Sequence, residues 1–261
     1  MKIVFWNLYK KDNSKHIRSL LLENDIDIAI FAEYEKLDLP KLKKDNPEYY
    51  VADNMGVCDR LLFVYKKGIK FTIRQEQYYY AIHSFIFNNN YFIIVGLHLP
   101  SNMHSKSDDR KEEIPYIIND VLIEERKQKT EKTLVIGDFN ANPFDSELIL
   151  KNMFNAVLYK EIIRKQDVVT HKKRKYKRFY NPMINYITET NQHYGTYYYS
   201  NGIDALNWNC YDQVLVRKEL IDNLSAVRFC KSIEKYSLIT KNGVPDKRIS
   251  DHLPLIVEVN L

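Results

Sequence analysis

The chain has few cysteines and no long apolar run. Its three cysteines, Cys58, Cys210 and Cys230, are far apart and lack a Cys-x-x-Cys spacing. This pattern excludes a disulfide framework and a cysteine-based zinc site, and it predicts buried thiols in a reducing compartment. The N-terminal apolar run ends at Lys10 without a small-residue cleavage site, and no run approaches the roughly 18 residues of a membrane span. We therefore expect a cytoplasmic protein that does not enter a membrane.

The chain also lacks a strong excess of one charge, an internal repeat and a domain linker. Its 39 basic and 34 acidic residues give a formal net charge of +5, which excludes a histone-like protein. One segment departs from this balance, because residues 160–178 hold nine lysines and arginines against Glu161 and Asp167, a local charge of +7. A polyanionic partner is expected to meet this segment. We predict a single domain over residues 1–261, with a basic, tyrosine-rich loop region at about 160–208.

Apolar runs typical of strands outnumber helical patterns. The predicted strands cover residues 2–7, 27–33, 60–68, 71–87, 91–99, 132–138, 211–217, 226–233 and 250–259, and the three asparagines at 88–90 indicate a hairpin turn. The predicted helices cover residues 14–24 with Ser14 as the cap, residues 107–129 with a start or kink at Pro115, and a short helix that Asp145 caps and that runs through Leu150. This pattern predicts an α/β protein with two packed sheets covered by helices.

Polar residues recur where these apolar strands end. The set comprises Asn7, Glu33, His98, Asp138 with Asn140, Asp212, and Asp251 with His252. Strand ends hold side chains rigidly, as a site requires. Carboxylates with asparagine and histidine, and no cysteine, suit a hard cation such as Mg²⁺. Histidines beside such a cation suit proton transfer or charge stabilisation in phosphoryl chemistry.

Each of these residues also has a simpler interpretation. The Asp-Phe-Asn sequence at 138–140 is compatible with an ordinary turn. Glu33 alone is compatible with a surface acid, His98 with a hydrogen-bonded core histidine, and the Asp251–His252 pair with a polar strand entry. The ordered set, in which each member follows a separate apolar strand, favours a shared site.

The sequence resembles the endonuclease/exonuclease/phosphatase family. The matching segments are FWN at Asn7, DIAIFAE at Glu33, GLHLPSN at His98, VIGDFN at Asp138 and Asn140, YDQVLV at Asp212, and SDHLPL at Asp251 and His252. They span nearly the whole chain in the order of the family. The resemblance implies a four-layered α/β sandwich with two mainly antiparallel sheets, and metal-dependent hydrolysis of a phosphate ester at one rim.

The resemblance also implies a metal site. Glu33 and Asp251 would hold Mg²⁺, with Mn²⁺ as an alternative, and Asn7 would support the metal or a phosphate oxygen. The sequence departs from the family at Ala32, where the family usually has glutamine. This change affects the positioning of the neighbouring carboxylate but leaves the carboxylate in place.

The implied catalytic residues follow the same motifs. Asp138 would orient or deprotonate the attacking water, and Asn140 would fix the geometry. His252, oriented by Asp212, would stabilise charge or move a proton, while His98 would contact the phosphate and protonate the leaving oxygen. Asp59 stands where the deoxyribonuclease branch carries the glutamate that orients its first histidine, here His98.

The substrate class is left open by the sequence. The basic segment interleaves charges that neutralise phosphates with tyrosines that stack on bases, at Lys172, Lys173, Arg174, Lys175, Tyr176 and Arg178. A solvated basic loop is the alternative. A nuclease acting on DNA or RNA is favoured. A phosphatase or phosphodiesterase of a small-molecule or lipid-headgroup phosphate is the second hypothesis, and a catalytically silent nucleic-acid-binding module is the third.

Overall fold

Two large β-sheets form the centre of the protein. The computed structural model describes residues 1–52, 55–101, 107–187, 194–202, 205–234 and 236–261. The strands are β1 (Lys2–Asn7), β2 (Ile28–Ala32), β3 (Tyr49–Val51), β4 (Leu61–Lys66), β5 (Lys70–Gln77), β6 (Tyr80–Phe87), β7 (Asn90–His98), β8 (Thr133–Asp138), β9 (Ala156–Val157), β10 (Val168–His171), β11 (Arg174–Lys177), β12 (Phe179–Tyr180), β13 (Tyr197–Tyr198), β14 (Trp208–Asn209), β15 (Asp212–Val216), β16 (Leu224–Phe229), β17 (Ser232–Ile233), β18 (Tyr236–Ser237) and β19 (Leu255–Val259). The helices are α1 (Ser14–Glu23), α2 (Leu39–Asp45), α3 (Ser107–Gln128), α4 (Ser146–Ile149) and α5 (Lys160–Lys165), with 3₁₀ turns at Met183–Asn185 and Lys218–Leu220.

The sheets are mainly antiparallel, as predicted. The first has the strand order β16-β19-β1-β2-β4-β3, and the second has the order β5-β6-β7-β8-β15-β12-β9. Among the strand pairs of these sheets that the structure describes, only β1–β2, β7–β8 and β9–β12 are parallel. Every residue of β2 and β8 is buried, which is typical of strands covered on both faces.

Helices cover the outer faces of the two sheets. Helix α1 buries Ile17 and Leu21 in the larger hydrophobic core, which also contains residues of both sheets. Helix α3 buries Ile114, Ile117 and Val121 in a second core against the outer face of the second sheet. Both sets have the spacing of one helical face. The predicted four-layered α/β sandwich is therefore confirmed.

Gly96 sets the distance between the two sheets. It lies in β7, and a Cβ atom added there would be 2.6 Å from Cζ of Phe63 and 3.3 Å from Cγ2 of Ile30, both in the first sheet. Phe63 is buried, and its ring stacks on the ring of His83 with centroids 3.9 Å apart, which limits how far it can move.

We expect Gly96→Ala to lower the free energy of unfolding by about 1–3 kcal/mol, the usual cost of overpacking a close-packed core. Urea unfolding measures this change. Adding Phe63→Leu should restore part of the lost stability, because the smaller side chain withdraws the clashing atom. An unchanged unfolding midpoint in Gly96→Ala would contradict the close approach of the sheets.

Several sequence predictions of local structure need correction. Residues 71–87 form two strands, β5 and β6, because Tyr78 and Tyr79 make a turn. The asparagine turn is confirmed: Asn88 and Asn89 have φ angles of 46° and 60°, which suit a two-residue hairpin. Helix α3 begins at Ser107 and continues through Pro115, so it does not start there.

Two helix starts also differ from prediction in detail. Asn13 occupies the N-cap position of α1, and Ser14 is the first helical residue. Asp145 is the N-cap of α4, as predicted, but its carboxylate accepts a hydrogen bond from the backbone N–H of Asn142 rather than from the helix.

The region predicted as long loops contains regular structure. Residues 160–165 form α5, and residues 168–177 form the hairpin of β10 and β11, whose tip is Lys172 and Lys173. Each of these elements is only four to six residues long, which is too short to give a clear hydrophobic periodicity, so the sequence did not predict them. The three cysteines are free and buried, as predicted. Among the described residues, no helix combines the length and hydropathy needed to cross a membrane.

Candidate active site

Polar side chains from both sheets meet at one edge of the sandwich. In the first sheet, β1 ends at Asn7, and the parallel strand β2 ends one residue before Glu33. In the second sheet, His98 at the end of β7 is the register partner of Asp138 at the end of β8. The antiparallel strand β15 begins at Asp212, opposite Asp138. Strand direction therefore brings these five predicted residues to the same edge.

Asp138 lies at the centre of the group. Its Oδ2 accepts a hydrogen bond of 3.2 Å from Nδ2 of Asn7, and this bond joins the two sheets. The same oxygen is 3.9 Å from Nε2 of His98 and 3.9 Å from Nε2 of His252. Neither separation is a hydrogen bond. Burial raises the pKa of the Asp138 carboxyl, which makes its carboxylate a stronger base.

His252 and Asp212 form a buried pair. Nδ1 of His252 is 2.7 Å from Oδ2 of Asp212, so this nitrogen donates to the carboxylate and the Nε2–H faces Asp138. Burial lowers the pKa of His252, but the negative charges of Asp212, Asp138 and Asp251 outweigh burial and raise the pKa to about 10. His252 is therefore a cation at neutral pH.

His98 differs from His252 in its protonation state at neutral pH. Its Nε2 lies 3.8 Å from Oε1 of Glu33 and 3.9 Å from Oδ2 of Asp138. Burial lowers the pKa of His98 to about 4, and Arg60 and Lys10 act in the same direction. The imidazole is therefore neutral at pH 7, which suits hydrogen bonding to a phosphate oxygen and does not suit donation of a proton.

The structure does not support the predicted role of Asp59. Nδ1 of His98 is buried and has no hydrogen-bond partner among the described residues. Asp59 is exposed in the loop before β4, and it does not reach this nitrogen. Aspartate is one methylene shorter than the glutamate that it replaces. The prediction that Asp59 orients His98 is therefore wrong for this structure.

Glu33 and Asn140 have strained backbones at the site. Glu33 has a φ of 50° and Asn140 has a φ of 47°. Both values lie in the left-handed region of backbone conformation, which residues other than glycine rarely adopt. Asn140 is held there because its N–H donates to Oδ1 of Asp138 at 2.9 Å and its Nδ2 donates to the carbonyl of Leu99 at 2.8 Å. Such strain is common at functional sites, where the surrounding structure holds it.

Glu33 and Asp251 have the chemistry of a divalent-cation site. Burial raises the pKa of both carboxyls, and the charge of Glu33 raises that of Asp251 further. Among the described residues, neither forms an ion pair with a lysine or arginine. The negative charge of Glu33 repels that of Asp251, and a hard cation relieves that repulsion. The residues therefore fit Mg²⁺ or Mn²⁺.

Asn7 acts as a hydrogen-bond donor at this site. Its Nδ2 points at Oε1 of Glu33, 3.4 Å away, and at Asp138, while its Oδ1 accepts the backbone N–H of Tyr9. Asn7 is therefore placed to orient the carboxylates or to donate to a phosphate oxygen. Its Oδ1 keeps a second lone pair beside the bond from Tyr9, and its support of the metal stays a prediction.

A second group of possible metal ligands consists of Asp138, Asp212 and His252, whose donor atoms lie within 4.8 Å of one another. All three are buried. The 2.7 Å bond between His252 and Asp212 already occupies one ligand atom of each, and the cationic imidazole has no lone pair for a metal. This group is therefore less suited to a metal than to proton chemistry, and the role of Glu33 and Asp251 as metal ligands stays a prediction.

Three features of the site were not predicted from the sequence. The ring of Tyr197 lies 4.8 Å from the ring of His252, and the two residues form an isolated antiparallel β-bridge. Thr196 Oγ1 accepts the backbone N–H of Asp212 at 3.1 Å. Trp6 Nε1 donates to the carbonyl of His252 at 3.0 Å. The run of tyrosines around residue 197 was the only sequence pattern that indicated any of these contacts, and it is equally compatible with packing at a sheet edge.

The base of the basic hairpin lies away from this edge. Nζ of Lys177 is 2.5 Å from Oε1 of Glu131, and the carbonyl of Arg178 accepts a 3.0 Å bond from Arg217. Both partners sit at the ends of β8 and β15 that are opposite to Asp138 and Asp212, and five residues of strand span about 17 Å. Substrate contact by Lys172, Lys173, Arg174, Lys175, Tyr176 and Arg178 stays a prediction.

Comparisons with known proteins give one matching family and several similar folds. The sequence model of the Endonuclease/Exonuclease/phosphatase family matches residues 4–252. No curated protein matches the chain. The fold resembles the endonuclease domain of TRAS1, a telomere-specific non-LTR retrotransposon, with a TM-score of 0.59 and 10% identity over 100% of this chain and 98% of that chain.

Two bacterial structures are similar as well. The 3′ phosphatase NExo from Neisseria, bound to product DNA hairpin, has a TM-score of 0.57 and 16% identity over 100% of both chains. The mannosyl-6-phosphatase from Bacteroides thetaiotaomicron has a TM-score of 0.59 and 14% identity, also over 100% of both chains. At these identities the likeness shows a shared fold.

Proposed function

The chain belongs to the endonuclease/exonuclease/phosphatase family, and we propose on that basis that it is a metal-dependent nuclease that hydrolyses phosphodiester bonds in DNA or RNA. The observation that carries the proposal is the position of Asp138, 3.9 Å from a neutral His98 on one side and from a cationic His252 on the other. Hydrolysis of a phosphate ester requires a base, a hydrogen-bond donor and a positive charge, which Asp138, His98 and His252 would supply in that order.

The residues have separate roles in this mechanism. Glu33 and Asp251 would hold Mg²⁺, and the bound ion would supply neutralisation of the phosphate charge and polarisation of the ester. Asp138 accepts the proton of the attacking water. His98 donates a hydrogen bond from Nε2 to a phosphate oxygen. His252 stabilises the developing charge and gives its Nε2 proton to the leaving oxygen, while Asp212 holds its orientation and its charge.

Cations around the site support a polyanionic substrate. Lys10 is close enough to affect the pKa of both Glu33 and His98, Arg60 affects His98, and Lys247 affects Asp251. These three come from separate loops that all lie near the site. A polynucleotide has phosphates on both sides of the scissile bond, and a small monoester has none there. The DNA bound by the similar Neisseria structure supports the same substrate class.

A phosphatase of a small phosphate ester is the second candidate, because the similar Bacteroides structure is named for a sugar phosphate. A panel of plasmid, single-stranded DNA, RNA, phosphoinositides and mannose 6-phosphate, each with Mg²⁺, decides between the two. We expect cleavage of at least one nucleic acid at a kcat/KM at least about tenfold above that for any small ester, because neighbouring phosphates and bases add binding. Turnover of the sugar phosphate alone would overturn the nuclease proposal.

A further inference from the structure

A groove beside the candidate active site has no role in the mechanism described above. It has a volume of about 480 Å³, within the range of small-molecule and cofactor sites. One wall is the segment that follows Tyr197, and the other is the chain that leads to Asp251. The lining residues are Tyr198, Tyr199, Ser200, Thr240, Val244, Pro245, Asp246, Lys247 and Arg248.

Both walls connect directly to the catalytic residues. On one side, Tyr197 pairs with His252 through a β-bridge, and Tyr198 to Ser200 continue from it. On the other side, the carbonyl of Asp246 accepts hydrogen bonds from the N–H of Ile249 at 2.8 Å and of Ser250 at 3.0 Å. This turn runs straight into Asp251. The two walls of the groove are therefore continuous along the chain with the residues proposed to hold the metal and to donate the proton.

The walls are held in place without a ligand. Tyr198 packs edge-on against Trp208, with ring centroids 5.4 Å apart. The N–H of Thr240 donates to the carbonyl of Val244, and the N–H of Asp246 donates to that of Leu238, both at 2.8 Å. A preformed groove requires little ordering when a ligand binds.

The groove offers an aromatic face, a cation and a buried hydroxyl. Tyr199 is 45% exposed. The guanidinium of Arg248 is bound to the carboxylate of Asp246, whereas Lys247 has no ion pair within the described part of the chain. Oγ1 of Thr240 is buried without a hydrogen-bond partner among the described residues. An aromatic ring beside a cation suits a base and a phosphate, the two parts of a nucleotide.

We propose that this groove binds the nucleotide next to the scissile phosphate, with its base stacked on Tyr199 and its phosphate at Lys247. The proposal rests on the proposed nuclease function and specifies how the substrate strand leaves the catalytic centre. The groove would make the enzyme prefer a strand with a base at this position over an abasic one.

The test compares a single-stranded oligonucleotide with an abasic oligonucleotide of the same length, both bound in EDTA. Tyr199→Ala should weaken binding of the first by about 5- to 150-fold, the range for loss of one base–aromatic stack, and leave binding of the second unchanged. Tyr199→Phe keeps the ring and should bind both as the wild type does. Lys247→Ala should weaken both and reduce the salt slope by about 0.7.

Two variants at the far end of the fold serve as matched controls. Tyr91, 48% exposed, is seven residues before His98 in β7, and Lys70 is exposed at the start of β5. Tyr91→Ala and Lys70→Ala should bind both oligonucleotides normally.

Two failures are distinguishable. A wild-type protein that neither binds nor cleaves an oligonucleotide would refute the nuclease function itself. A wild-type protein that cleaves, together with a Tyr199→Ala variant that binds both oligonucleotides as tightly as wild type or loses both equally, would refute the groove alone.

Discussion

Replacing His252 with alanine is expected to reduce kcat by about 10²–10⁴-fold, and Asp212→Asn is expected to cost a similar factor. The alanine variant loses the positively charged imidazole of His252, which is also the proton donor beside Asp138. The asparagine variant keeps the shape of the side chain but loses the charge that, with the 2.7 Å bond, keeps His252 protonated. Steady-state turnover of a minimal phosphodiester measures both losses.

The double variant should lose little more than the worse single variant, because the two residues act as one unit and such effects are not additive. The exposed His171, in the hairpin, provides a matched control, and His171→Ala should retain full turnover of the minimal ester. Losses that multiply in the double variant would show that His252 and Asp212 act independently.

Replacing Glu33 with glutamine should raise the Mg²⁺ concentration for half-maximal activity by about 100-fold or more. Changes to residues that only contact metal ligands cost about 10–100-fold in affinity or activity, so loss of a direct ligand should cost at least as much. The variant should remain folded, since glutamine has the same shape and Glu33 lies at the mouth of the site. Metal titration of activity and direct Mn²⁺ binding measure the effect.

Glu35→Gln is the matched control for this substitution. Glu35 is exposed two residues away and pairs with Lys10 at 3.7 Å, so its loss should leave the metal titration unchanged. An unchanged titration in Glu33→Gln would remove Glu33 from the metal site and favour the group of Asp138, Asp212 and His252.

Much of the candidate site could be predicted from local sequence, for a physical reason. A buried strand appears in the sequence as an apolar run, and the polar residue at its end can be identified without knowledge of the fold. Asn7, Glu33, His98 and Asp138 could therefore be found singly. Their meeting at one edge depends on the parallel pairing of β1 with β2 and of β7 with β8, which local patterns do not encode.

The remaining features depend on long-range packing. Tyr197 reaches His252 through a bridge between residues 55 positions apart, and no periodicity predicts that contact. The basic hairpin has the composition of a nucleic-acid contact, but Lys177 ties its base to Glu131 at the far end of β8. The charge and aromatic content of the basic hairpin predicted its chemistry, whereas its position in the fold depends on ion pairs that the sequence does not reveal.

Hydrolysis of a minimal phosphodiester by the wild-type protein, before and after removal of metal by EDTA, tests the central claim most directly. We expect no turnover above background in EDTA and full recovery when Mg²⁺ or Mn²⁺ is added in excess, because the Glu33–Asp251 carboxylates require a cation before they can accept a phosphate. Undiminished hydrolysis in EDTA would contradict the account of this sheet edge as a metal-dependent phosphoesterase site.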